Sequence, residues 1–314
     1  MKNKNLKIFI TGKNGMVGSA CWRTFKAKGY SNLIGLSSKE LDLKDQNKVL
    51  DFIGKERPDI IINAAARVGG ILANRDEPYD FISENLLIQT NLIHAASVFN
   101  IEKFIFLGSS CIYPKHCEQP IKEEYLLSGR LEETNQWYAI AKIAGLKMVE
   151  ALNIQTKTNN HVSLMPTNLY GPGDNFEINR SHVIPALIRK FHSAKIQNSK
   201  YVEVWGDGSA LREFLHVNDL AQAVVVAVEN NLSENIYNIG TGKDITISGL
   251  VKLIQEITEF EGEIHWDTSK PNGTPRKVLD ISKISGFWSP KIDLEDGLRN
   301  TYEWFKKNYQ DARL

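Results

Sequence analysis

Between Gly108 and Lys142 the chain brings a hydroxyl, a thiol, a phenol and an ammonium into one short reach. Ser109 and Cys111 stand in Gly108-Ser109-Ser110-Cys111, and Tyr138-Ala139-Ile140-Ala141-Lys142 follows after a loop. Residues four apart on a helix share a face, so the Lys142 ammonium can approach the Tyr138 phenol. A phenol titrating near ~10 works as a neutral-pH acid or base only if a nearby positive charge favours the phenolate. Lys142 is the candidate for that charge. The same spacing also suits an amphipathic helix with Tyr138 half buried and Lys142 in water, so the neighbouring residues must decide.

Those neighbours describe strands alternating with helices. Lys7-Ile8-Phe9-Ile10-Thr11 reads as a strand, Gly12-Lys13-Asn14-Gly15-Met16-Val17-Gly18 as a glycine turn, and Ser19 to Lys28 as a helix. Strand, glycine turn and helix in that order suit a dinucleotide: Gly12 and Gly15 let backbone approach a pyrophosphate at the helix N-terminus, and Gly18 allows close helix packing. A P-loop is excluded, because no Gly-Lys-Ser/Thr stands at the required spacing. After the second strand, Leu33 to Leu36, come Ser37, Ser38 and Lys39, with no carboxylate before Glu40. An NAD site places an acid there for the ribose hydroxyls. Hydroxyls and cations, with Lys13 in the turn, point instead to a 2′-phosphate and hence NADP(H).

Asp59 to Ala66 is a buried strand running into small residues, with Asn63 and Ala65 where a flat cofactor ring would pass. An amphipathic segment from Tyr79 to Phe99 precedes the apolar run Phe104 to Leu107, so Ser109 emerges at the C-terminal end of a strand, where open α/β sheets bind ligands. Trp137 to Leu152 reads as the next helix and His161 to Leu164 as the next strand. The pattern is α/β, a Rossmann-type doubly wound parallel sheet with a smaller α/β substrate domain. The expected division is a cofactor domain over 1–165, which segment 212–239 rejoins, and a substrate domain over 166–211 and 240–314. Asp219 is the expected cap of a helix from Leu220 to Glu229.

Composition narrows the function classes. The 314 residues are 42% hydrophobic, enough for a full core, and 38 basic against 37 acidic residues leave a net charge of +1. So even a balance gives no footprint for nucleic acid or an anionic membrane. Cys21, Cys111 and Cys117 are odd in number and lack metal-finger spacing, which points to a reducing compartment and no metal site. The apolar run behind the basic N-terminus is too short for a signal peptide, and Leu220 to Val228 is far short of the ~20 residues a membrane span needs. A cytoplasmic location is expected.

With the glycine turn, Ser109, Tyr138 and Lys142 together, the chain resembles the extended short-chain dehydrogenase/reductases acting on nucleotide sugars. Five stretches are similar to the GDP-L-fucose synthases in particular: 63–71, 107–114, 138–142, 181–187 and 212–217. That family epimerises and reduces GDP-4-keto-6-deoxy-D-mannose. The resemblance implies that Tyr138, Lys142 and Ser109 carry the reduction and that Cys111 and His182 move protons at C3 and C5. It implies cofactor contacts from Leu107, Gly108, Lys142, Pro166, Asn168 and Leu169 beside the turn, and GDP-sugar contacts from Lys190, Trp205, Arg212 and Asn272. It also implies a homodimer on paired helices. The chain departs from the family at Asn14, at 37–39, at 173–180 and at Trp137, so the exact sugar stays open. A C4 reductase without epimerase activity, acting on a related GDP-4-keto sugar such as a heptose, is the nearest alternative, and a silent nucleotide-binding protein a further one.

Overall fold

The computed structural model describes residues 3–309 apart from 179 and 271. Runs apolar on both faces build one sheet: β1 (Ile8–Ile10), β2 (Leu33–Ile34), β3 (Ile60–Asn63), β4 (Lys103–Leu107), β5 (Val162–Pro166) and β6 (Ile236–Ile239). All neighbours are parallel, in the order β6-β5-β4-β3-β1-β2, with Phe9, Ile61 and Phe104 abreast. The chain leaves β1 for β2 on one side and returns to place β3 on the other, which opens a crevice at the C-terminal end of β1.

Alternation along each strand sends Ile8, Ile10, Ile62 and Ile105 to one face and Phe9, Ile61, Phe104 and Phe106 to the other. The first face is covered by α1 (Met16–Ala27) through Ala20 and Phe25. The second is covered by α2 (Gln46–Glu56) and, beyond the short α3 (Ile71–Asp76), by α4 (Pro78–Val98) and α5 (Gln136–Thr156), through Val49, Leu92, Leu146 and Val149. A separate apolar cluster joins α6 (Val183–Ile196), the strand Tyr201–Trp205 and the helices Ile247–Thr258 and Leu294–Lys307 around Ile184, Phe191, Val204, Leu250 and Phe305. Between these bodies runs a small sheet in which Leu211–Arg212 pairs with Ile245–Thr246 on one side and Arg276–Lys277 on the other.

Several element boundaries differ from expectation. α1 begins at Met16 rather than Ser19, because Gly15 is its N-cap and Gly18 sits inside it against the Gly12 carbonyl. α7 (Val217–Glu229) begins at Val217, capped by His216, whose ring nitrogen accepts from Asn218 N. Asp219 is not the cap: its carboxylate accepts Lys291 N and Ile292 N instead, tying α7 to a distant loop. β6 pairs with β5 and α7 packs on α1, whereas Arg212, from the same expected segment, belongs to the small sheet. α6 starts at Val183, with His182 as its N-cap residue.

Candidate active site

The glycine turn closes over β3. Gly12 adopts a φ of 65°, and a Cβ there would lie 2.8 Å from the Ala64 carbonyl oxygen. Neither a side chain nor a right-handed conformation fits that position. Gly15 presents the open N-terminus of α1 with no acidic residue in the first turn, a ready seat for an anion. Behind the turn the Thr11 hydroxyl accepts Ala64 N and Ala65 N and meets Asn63 Oδ1 at 3.2 Å, while Asn63 Nδ2 is buried without a partner. A cradle free of Cβ atoms with an orphaned donor in its wall fits a dinucleotide.

Lys13 folds its stem over Gly35 and sets its ammonium 4.4 Å from the Trp22 ring centroid, a contact sequence reasoning missed. Ser37, Ser38 and Lys39 follow β2 as expected. Ser37 is engaged, however, since its N–H and hydroxyl both donate to Glu40, at 2.8 and 2.7 Å. Those bonds, with the Lys13 charge, hold the Glu40 carboxyl below its usual range. Exposed Asn14 takes no part in the contacts around Lys13.

At the end of β4, Gly108 lies against Met165, and Ser109 opens a turn in which its hydroxyl accepts Cys111 N at 3.2 Å. Across from it, α5 brings Tyr138 and Lys142. Burial first, then the Cys111 charge, push the Tyr138 phenol up, and the Ser109 hydroxyl pulls it back. Ser109, Cys111 and Tyr138 are therefore one group. Lys142 is buried and donates to Leu107 O at 2.8 Å, with its nitrogen 5.7 Å from the Tyr138 ring centroid. Burial pulls its amine down to about 7. Burial therefore weakens the charge that the spacing alone would set beside the phenol.

Two donors to the Cys111 sulfur were invisible in sequence. Asn135 Nδ2 lies 3.3 Å from Sγ and Lys277 Nζ 3.9 Å. Lys277 arrives from a strand more than a hundred positions away, and no local pattern marks it.

His182 caps α6 on the opposite wall. It is open to the cleft, yet the surrounding protein holds its imidazole below the usual range. Among the described residues no hydrogen bond joins it to Cys111. Its loop is pinned to α3 through Gly70 N donating to Arg180 O at 2.9 Å and through an ion pair of Arg180 with Glu77. Glu77 in turn meets Arg67 at 2.5 Å, and Arg67 meets Glu84 at 2.7 Å.

Beyond His182, Lys190 donates to Glu203 O at 3.0 Å and lies 5.7 Å from the Trp205 ring centroid, with Lys270 at 5.6 Å. Arg212 donates to Asn272 O at 3.2 Å, and Asn272 Oδ1 accepts Asp207 N. These four expected substrate residues form one neighbourhood. The adjoining Glu213 is buried, and its carboxylate accepts Thr241 N, Gly242 N and Leu279 N. Pro166 ends β5 and Asn168 and Leu169 follow it, with Asn168 Nδ2 donating to Glu213 O at 2.8 Å. Among the described residues there is no cluster that could hold a metal and no helix long and apolar enough to cross a membrane.

A doubly wound parallel sheet with a glycine turn under its first helix, and with Ser, Tyr and Lys at the strand ends, is the arrangement of a short-chain dehydrogenase/reductase. The chain belongs to the NAD dependent epimerase/dehydratase family, whose profile matches residues 8–240, and within it to the GDP-L-fucose synthases. It is 51% identical to GDP-L-fucose synthase 1 of Arabidopsis thaliana over 309 residues, 98% of this chain and 95% of that one. A GDP-L-fucose synthetase of Naegleria fowleri bound to NADP superposes with a TM-score of 0.92 at 29% identity, covering 100% and 96% of the two chains. A GDP-6-OMe-4-keto-L-xylo-heptose reductase of Campylobacter jejuni matches equally well, with a TM-score of 0.92 at 36% identity over 98% and 99%.

Proposed function

We propose that this chain uses NADP(H) to epimerise C3 and C5 and reduce C4 of GDP-4-keto-6-deoxy-D-mannose, giving GDP-L-fucose. One observation carries the reading: Cys111, whose backbone N–H donates to the Ser109 hydroxyl, brings a thiol near enough to bear on the Tyr138 phenol. Reduction needs no thiol. A base beside the two hydroxyls that hold a ketone oxygen has a purpose if protons next to that ketone must be removed.

The 4-keto group acidifies the hydrogens on C3 and C5, because the carbanion left behind is an enolate. Ser109 and Tyr138 hold the enolate oxygen as an oxyanion hole does. Cys111 removes the proton from one face and His182 returns one to the other. Desolvation by the surrounding protein holds the His182 imidazole below its usual range, and the diphosphate of a nucleotide sugar would supply negative charge that favours imidazolium. Tyr138 then protonates the C4 oxygen, and Lys142 orients the phenol from below. Bound nicotinamide supplies the reducing equivalent at C4. Gly12, Gly15 and Asn63 cradle the dinucleotide, while Lys13, Ser38 and Lys39 receive its 2′-phosphate, Ser37 being engaged with Glu40. Lys190, Trp205, Arg212 and Asn272 hold the GDP portion. In this reading residues 1–165 form the cofactor domain with the returning strand β6, and the later segments form the substrate domain. Apolar residues exposed on α4 and α5, among them Tyr79, Leu87, Trp137 and Ile140, suit a homodimer on paired helices, working in the cytoplasm.

Turnover in deuterated water tests the reaction. The expected product carries deuterium at C3 and C5 with both centres inverted, and Cys111→Ser suppresses both changes. The likeness to a heptose reductase favours a second reading, C4 reduction alone. Wild-type protein that yields only uninverted, undeuterated alcohol would establish that one instead.

A further inference from the structure

The narrow cavity beside the thiol is lined by Cys111, Lys115, Glu132, Asn135, Arg276 and Lys277. Three of these carry positive charge, and two are already engaged. Lys115 pairs with Glu132 at 3.2 Å and Arg276 with Asp244 at 2.5 Å. Lys277 has no carboxylate partner among the described residues, and its ammonium points at the Cys111 sulfur from 3.9 Å. It is also held there from both sides. Its strand pairs Lys277 with Arg212, the next residue donates its N–H to Gln119 Oε1 at 2.9 Å, and Leu279 N binds the buried Glu213 carboxylate. Asn135 completes the sulfur's surroundings with a second N–H, its own Oδ1 buried without a partner.

The geometry points to Lys277 as the positioning residue that, with Asn135, stabilises the thiolate of Cys111 and so prepares the base before any sugar arrives. The thiol proton leaves to solvent, and the ammonium balances the charge left on sulfur. The charged and titratable groups around that sulfur are Tyr138 on α5, Tyr113 and the paired Lys115 and Glu132 on the neighbouring loops, and Arg276 and Lys277 opposite, with the Lys277 charge reaching Cys117 as well. Lys277 is the cation among them whose charge is directed at the sulfur.

This rests on Cys111 acting as the base, so the test reads the thiol alone. Full-length protein carrying NADP is treated with iodoacetamide at several pH values, and alkylation of the Cys111 peptide is followed by mass spectrometry. Lys277→Met is expected to slow alkylation roughly tenfold at pH 7.5 and to move its onset to higher pH, as loss of a cation about 4 Å from a thiolate should. Lys277→Arg, which keeps the charge, should recover most of the rate, and Lys277→Gln repeats the neutral case if the methionine variant does not fold. Unchanged alkylation in a folded neutral variant, with only GDP affinity weakened, would overturn the proposal and make Lys277 a plain ligand contact. Failure of the wild type to exchange deuterium would unseat the proposed reaction while leaving this measurement intact.

Discussion

The two walls of the cleft are made in different ways. The wall under the cofactor turn is backbone against backbone: Gly12 pressed on Ala64, Gly18 on Gly12, and Thr11 gathering two amides. The wall facing it, from Arg180 through Trp205 to Asn272, leans more on part-exposed side chains, such as the Arg67, Glu77 and Arg180 chain and the Asn272 contact with Asp207, beside the single backbone bond from Gly70 to Arg180. Close backbone packing fixes geometry at little cost in side-chain ordering, whereas exposed ion pairs contribute only ~0–1 kcal/mol each. The first wall suits a ligand common to many enzymes; the second can be altered piece by piece to fit a different sugar.

Three substitutions would break or sharpen that contrast. The largest effect should come from Tyr138→Phe, which removes a proton donor from a wall that does not depend on it for shape. Reduction should fall by ~10²–10⁴ with NADPH affinity within about twofold of wild type. Near-normal turnover would show that the acid lies elsewhere.

Lys142 probes the same wall through pH. Burial pulls its amine from 10.5 to about 7. The unfolded chain keeps the proton up to the higher value, so between those limits it binds more protons than the folded protein, and folded stability rises with pH across that window. Below about 7 both states hold the proton and the burial penalty is complete. Ligand-free wild type should therefore gain thermal stability relative to Lys142→Met from pH 7 to 10, with the methionine variant the more stable at pH 6. A Tm difference that stays constant over that range would mean that Lys142 is well solvated.

Glu77→Gln should give the smallest change. Its partners are part exposed, so global stability should move by no more than about 1 kcal/mol. Hydrogen exchange should nevertheless quicken at the amides of Gly70 and Ser181 while those of 12–18 stay protected. Equal change on both walls would erase the distinction drawn here.

The same contrast explains what the sequence made legible. Gly12, Ser109, Tyr138 and Lys142 meet their neighbours at the ends of regular elements, so spacing and strand order could bring them together on paper. Asn135, Lys277 and the Glu77 chain work only because loops distant in sequence meet, and nothing local marks them. The start of α1 was displaced because Gly18, read from sequence as a turn residue, is helical and needed for close packing on Gly12. Asp219 has the right chemistry for a cap, but His216 took that place and freed the carboxylate to bind a distant loop.

Glu213 has a consequence for the continuity of the chain. Its carboxylate and carbonyl together hold the amides of Thr241, Gly242 and Leu279 and the side chain of Asn168. Segments far apart in sequence are thereby knotted at one buried point, and the exposed residues 268–270 and 272–273 stand between the strand Glu263–Asp267 and the return of the chain to that point at Leu279. A single proteolytic nick in this stretch should leave both fragments associated through native gel filtration, because the piece beyond it remains fastened at Leu279 and through the helix Leu294–Lys307.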